Sequence, residues 1–327
     1  MDPAPFLRGV AFPGTKSVPY PRANPQDAAR LPLDTWAMAQ VPAGVRLEFA
    51  TDADEVEIVY ETKTDDLGSR GDGAGRTFAL WRFLQPVSED KAVLGEGRAR
   101  LACGETSEHR CIVYLPEGMK PRIAGIEVFG GTITPATPRK RWIAYGDSIA
   151  EGWIASAPAM SWTAITARTH ALDLINMGYA GAARGEVPSA EQIAGLPAEV
   201  ISITHGTNCW NRTPNSVGMM REGLVAFLDI VRHGHPATPI LVASPVIRPD
   251  AEDVKNKLGA TLDDLRFTME DVVEERIKAG DENLYLARGL ELMGASMLGD
   301  DVHPNDEGHQ SIAAALGPIL HDIGGAD

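Results

Sequence analysis

Ser148, in Gly146-Asp147-Ser148-Ile149, carries a hydroxyl that becomes a nucleophile only if a base removes its proton. The candidate base is His303, in Asp300-Asp301-Val302-His303-Pro304. An imidazole has an ordinary pKa of about 6.5, so it exchanges protons near neutral pH. A carboxylate on its other nitrogen fixes the tautomer, and Asp300 and Asp301 both stand close enough in sequence to serve. Pro304 biases His303 towards extended backbone, which limits its swing. Two further segments supply glycine and amide groups: Asn176-Met177-Gly178-Tyr179-Ala180-Gly181 and His205-Gly206-Thr207-Asn208. Taken singly, each segment reads as an ordinary turn. Together, a hydroxyl, an imidazole, a carboxylate and hydrogen-bond donors are the parts needed for attack on an ester carbonyl.

These parts work only if something gathers them. Apolar runs at Trp142–Tyr145, Asp173–Asn176, Val200–Thr204, Ile240–Ala243 and Asn283–Ala287 read as strands. Between them lie helical faces: Met220, Leu224, Phe227, Leu228 and Val231, then Leu258, Leu262, Leu265, Met269, Val272, Val273 and Ile277. A closing helix spans Ile312 to Leu320, interrupted by Gly317-Pro318. Strand alternating with helix predicts a parallel sheet covered on both faces. Such sheets bind ligands at the carboxyl ends of their strands, where the order reverses. All four segments follow a predicted strand, so they converge on one rim.

The first 130 or so residues read differently. Short β-rich runs at Val45–Phe49, Glu55–Tyr60, Thr77–Trp81, Cys111–Leu115 and Ile123–Phe129 predict an antiparallel sandwich. Asp65–Gly75 reads as loop and Gly130–Lys140 as linker. The expected division is residues 1–136 and 137–327.

The chain has 327 residues, with 45 acidic against 30 basic, a net charge of −15. That balance disfavours nucleic acid and anionic membrane surfaces, which need clustered Lys and Arg. No apolar run reaches the roughly 18 residues of a membrane span. Met1–Arg8 does not read as a secretory leader, and Cys103, Cys111 and Cys209 are too few for a disulfide framework. A Cys103–Cys111 pair stays conceivable, but the expectation is a reduced, cytoplasmic protein, secretion remaining open for a trimmed chain. The histidines at 205, 233, 235 and 309 form no zinc-like set, and no dinucleotide or Walker loop occurs. Neither metal nor cofactor is expected, and the sequence leaves the oligomeric state open.

With these segments in this order, the region from Arg141 to Leu320 resembles the SGNH (GDSL-type) hydrolase superfamily. Ser148 matches its block I serine, Gly181 its block II glycine, Asn208 its block III asparagine and His303 its block V histidine. Asp300 matches the acid of the family's D-x-x-H-P motif and is preferred to Asp301 on that ground. The resemblance implies a flavodoxin-like three-layer α/β/α domain. It also implies an oxyanion hole made by the backbone N–H groups of Ser148 and Gly181 and the amide of Asn208. One departure is Cys209, where many members carry aspartate. The β-rich front half looks like the jelly-roll domain of two-domain carbohydrate esterases.

The function implied is a serine esterase that removes a short acyl group, acetyl foremost, from a carbohydrate or other hydroxylated small molecule. Trp153 and Trp210, close after Ser148 and Asn208, are expected to wall the substrate. The alternatives are a lipid esterase or acyl-thioesterase, an acyltransferase, and a glycan-binding module with an inactive hydrolase domain.

Overall fold

Alternation in the front half becomes two facing sheets in the computed structural model, which describes residues 1–68, 70–104, 110–211 and 213–325. The larger sheet joins β1 (Leu7–Arg8), β2 (Arg46–Thr51), β4 (Thr77–Arg82), β5 (Gln85–Lys91), β7 (Arg110–Tyr114) and β9 (Ile133–Pro135). The smaller holds β3 (Glu55–Thr62) between β6 (Gly95–Ala102) and β8 (Arg122–Phe129). Along β3, Val56, Ile58, Tyr60 and Thr62 are buried while their neighbours are half-exposed, as expected for a strand with one wet face. Leu47, Phe49, Phe78, Leu80 and Val113 close the sandwich from the other sheet.

In the rear half, five parallel strands run in the order β11 (Leu172–Gly178), β10 (Lys140–Gly146), β12 (Val200–Thr204), β13 (Ile240–Ala243) and β14 (Leu284–Ala287). Side chains alternate between two cores. Trp142 and Ala144 of β10 face the layer containing α4 (Trp162–Thr169) and α8 (Asp306–Ile323). Ile143 and Tyr145 face the layer of α5 (Val187–Ala194), α6 (Val217–Gly234) and α7 (Leu262–Lys278). The result is the flavodoxin-like α/β/α arrangement, with its reversal of strand order at β10.

The N-terminal stretch does not stay with the sandwich. Phe12, Ala23, Leu31 and Ala39 join the α5–α6–α7 core, Ala39 ending the short helix α1 (Leu33–Ala39). The two halves also meet through Arg46, which bonds the Asp173 carboxylate at 2.9 Å and the Leu174 carbonyl at 3.1 Å.

Several local expectations need correction. Within Asp65–Gly75, residues Gly71–Arg76 form the helix α2 despite three glycines, because Ala74 and Gly75 are buried there; tertiary packing overrides poor propensity. Ser69 lies outside the described residues. The Gly130–Lys140 stretch is not a plain linker: Ile133–Pro135 adds to β2 and Lys140 opens β10. Strands β5 and β6 were not expected, since much of each is exposed and charged. Leu258 lies outside α7 and is exposed, because a capping box between Thr261 and Asp264 starts the helix later. Gly317-Pro318 does not interrupt α8, which runs from Asp306 to Ile323. Its buried stripe of Ile312, Ala313, Leu316 and Leu320 outweighs the one N–H that proline lacks. All three cysteines are buried free thiols, so Cys103 and Cys111 are not bridged.

Candidate active site

β10 ends at Gly146, and Asp147 caps the single helical turn α3 (Ser148–Glu151) by accepting the Ile149 N–H at 3.0 Å. Ser148 is thereby the first residue of a helix, where its N–H has no intrahelical acceptor. Burial pushes the Asp147 carboxyl up to about 6, although hydrogen bonds from Ile149 and Thr207 counter it. Those Thr207 bonds link the β10 end to the β12 end. Gly178, at the end of β11, allows close approach: a Cβ there would stand 2.4 Å from the Glu151 nitrogen. Gly181 has φ +69°, a left-handed conformation that suits glycine, with open space where a side chain would be.

These loops bring the expected groups together. The Ser148 hydroxyl lies 2.9 Å from His303 Nε2. On the other side of the ring, His303 Nδ1 lies 2.8 Å from Asp300 Oδ2 and 3.0 Å from Oδ1. The same Oδ1 accepts the backbone N–H of His303 at 2.8 Å and of Val302 at 3.2 Å, which locks carboxylate and imidazole in one turn. Asp301 makes no hydrogen bond to His303 among the described residues; its backbone, at φ +65°, turns the chain between them. Burial pushes the His303 pKa below its ordinary value; Asp300 opposes that shift and Arg248 adds to it. Burial would raise the Asp300 pKa, but the bonds from His303 and Val302 bring it below the usual carboxylate value.

Asn208 sits in a short turn after β12, and one of its amide hydrogens goes to the Ala182 carbonyl at 2.6 Å. The other has no acceptor among the described residues. Ser148, Gly181, Asn208 and His303 all line one cleft of about 330 Å³. Such an arrangement can move a proton from hydroxyl to imidazole and offer donors to a developing negative charge.

The two tryptophans divide. Trp153 lines the cleft, its ring 5.9 Å from that of His303. Trp210 is not on the cleft wall; its indole N–H is bonded to the Val254 carbonyl and Arg248 lies over its ring at 4.9 Å. The expectation that Trp210 walls the substrate is corrected to a support beneath Arg248.

Sequence reasoning missed Met38, Arg184, Asn211, Arg248 and Val302 on the wall. Arg248 follows β13, the one strand whose carboxyl end was left unread, and the strand-end rule would have reached it. Also missed was the buried support behind the site. Glu151 accepts from Arg22 Nη2 at 2.9 Å, from Arg70, and from the Ala180 backbone at 2.9 Å. Arg22 further donates to the Val41 and Met38 carbonyls at 2.5 and 2.7 Å. Arg70 lies over the Trp153 ring at 5.4 Å. The described residues hold no group of three or more His, Cys, Asp and Glu placed for a metal, and no helix among them is long and apolar enough to cross a membrane.

The GDSL-like lipase/acylhydrolase family matches residues 139–321, and the chain belongs to it. No curated protein matches. Among solved structures, the salicylyl-acyltransferase SsfX3 from a tetracycline biosynthetic pathway is similar at a TM-score of 0.83 and 24% identity, covering 98% of this chain and 95% of that one. A GDSL-like lipase from Bacteroides ovatus is similar at 0.77 and 22%, covering 97% and 95%. A family two carbohydrate esterase from Clostridium thermocellum, in complex with cellohexaose, is similar at 0.63 and 17%, covering 85% and 91%. At these identities the likeness is one of fold.

Proposed function

We propose that the protein is a serine esterase that removes a short acyl group, acetyl foremost, from a carbohydrate or other hydroxylated small molecule. The observation that carries this reading is the relay from Ser148 Oγ to His303 Nε2 at 2.9 Å and from His303 Nδ1 to Asp300 at 2.8 Å. Ser148 Oγ bonds to the carbonyl carbon while its proton passes to Nε2 and an electron pair moves onto the carbonyl oxygen. Asp300 holds the ring and stabilises the imidazolium. The oxyanion is met by the N–H groups of Ser148 and Gly181 and the free amide hydrogen of Asn208. The ester C–O bond then breaks, and His303 gives its proton to the departing alcohol. Water repeats the sequence on the acyl-serine, releasing the acid and restoring Ser148.

The size of the cleft supports a compact acyl group, and Trp153 offers a face for a sugar ring. Acetate release should be measured over acetylated sugars and other natural esters, alongside para-nitrophenyl acetate and octanoate. The expected result is acetate over octanoate, with Ser148→Ala lowering turnover on the order of 10⁴-fold or more while folding is kept. Retained activity in that variant removes Ser148 from the mechanism, and a strong octanoate preference favours a lipid esterase.

A second reading is acyl transfer, in which a bound alcohol replaces water in the second half. It is favoured by the whole-chain similarity to an acyltransferase. Product analysis with added acceptor alcohols separates the two.

A further inference from the structure

The cleft beside Ser148 has a charge that the chain as a whole lacks. Its eleven lining residues include two arginines, Arg184 and Arg248, and no carboxylate, in a protein of net charge −15. Arg248 is only 7% exposed and is held from several directions. Its Nε and Nη2 bond the two oxygens of Asp250 at 2.8 and 3.0 Å. The guanidinium rests on Trp210, itself pinned by Val254. Its backbone N–H donates to Glu252 at 2.8 Å, and Arg266 grips that carboxylate at 2.7 and 2.8 Å. A guanidinium is a rigid fork of five donors. Asp250 occupies one edge, and Nη1 has no acceptor among the described residues. Arg184 is similarly incomplete. It bonds Asp34 and the Gly181 carbonyl, yet its buried Nε has no partner among the described residues. A buried donor such as Arg184 Nε is costly to leave unbonded, whereas Arg248 Nη1 is not buried and stays open to a ligand.

We infer that the cleft selects esters that carry a carboxylate, with Arg248 Nη1 as its main donor. Met38, Trp153 and Val302, on the same wall, hold the compact apolar body between carboxylate and ester. Asp250 is half-exposed and offsets the field of Arg248 at a distance, so the preference arises from short-range, charge-assisted hydrogen bonding rather than steering. The inference rests on the esterase reading for the fate of the ester, not for its binding.

Para-acetoxybenzoate and its methyl ester share acyl group, ring and leaving oxygen, and differ in the anionic group. Calorimetric titration of both into the Ser148→Ala variant measures recognition without turnover. The acid should bind on the order of tenfold more tightly or better. Adding Arg248→Gln should bring the ratio of the two affinities to within about a factor of three of unity. Arg248→Lys, which keeps the charge without the fork, should give an intermediate ratio and covers the case in which the glutamine variant fails to fold. In the unmodified enzyme, kcat/KM should rank the two esters in the same order. Equal binding of acid and ester, no binding of the acid at millimolar concentration, or a preference that survives both substitutions overturns the proposal. Selective binding of the acid without any hydrolysis supports the proposal and sinks the esterase reading instead.

Discussion

The Glu151 carboxylate accepts the backbone N–H of Ala180 at 2.9 Å, tying the helical turn that begins at Ser148 to the loop that presents Gly181. Its other bonds go to Arg22 and Arg70, both contributed by the first seventy residues. Alignment of the proposed oxyanion donors therefore depends on charges delivered from far upstream. Glu151→Gln keeps the shape and removes the charge. Its kcat should fall on the order of ten- to a hundredfold while KM changes less than about threefold, because donor alignment matters most in the transition state. Unfolding free energy should drop by a few kcal/mol, on the order of the cost of breaking a buried pair, with Arg70 retaining Glu117 at 3.8 Å and Arg22 its carbonyl acceptors. Steady-state kinetics and urea unfolding check both; a change in KM alone would contradict the positioning role.

Asp300 and Asp301 should separate cleanly. Asp300→Asn cannot hold the ring tautomer that Ser148 needs, and kcat should drop on the order of 10⁴-fold. Asp301→Asn, at a position with no bond to the ring, should stay within about threefold of the parent. Para-nitrophenyl acetate turnover reads both.

Only neutral His303 can accept the Ser148 proton, so kcat/KM should fall as pH drops through the imidazole pKa. Burial and Arg248 place that pKa below the ordinary 6.5, and the midpoint of the acid limb should lie below that value. Arg248→Gln removes the charge that adds to the depression by burial, so its limb should shift to higher pH. A midpoint above 6.5 in the parent, or no shift in the variant, would count against His303 as the base.

Stability should also fall as the solution is acidified. Burial holds His205 and His309 at about 4, well below the unfolded value. Between pH 6.5 and 4 the unfolded chain takes up two protons that the native protein refuses. Buried Asp147, raised to about 6, works the other way by binding one proton in the native state. These three groups together leave a net uptake on unfolding of about one proton, or about 1.4 kcal/mol of stability lost per pH unit. Depressed His303 and His170 add to the loss, and buried Glu117, raised by desolvation, opposes it. Urea midpoints measured from pH 7 to 5 should show this decline; a flat curve would refute the assignment.

Much of the site was legible because Ser148, Gly181 and Asn208 each follow a buried strand of the parallel sheet, and apolar runs ending in turns are visible in sequence. His303 and Asp300 share one tight turn, so spacing brought an acid to His303 but left Asp300 and Asp301 both open, and the choice of Asp300 came from the family motif. Trp210 was misread because nearness in sequence to Asn208 does not reveal side-chain direction, and its indole turns towards Val254. Arg22 and Glu151 are 129 residues apart; periodicity assigns a residue to a face but never names its partner across the molecule. Strands β5 and β6 escaped because their exposed, charged residues lack the apolar signal on which strand prediction relies.

Met38 stands on the cleft wall and Asp34 grips Arg184, both from the helix α1, which lies well upstream of residue 139 where the family match begins. Relatives with the same nucleophile, imidazole and amide can therefore diverge in what they accept without altering any of them. Exchanging only front halves between such enzymes is accordingly a way to graft specificity, and not simply to swap an appendage.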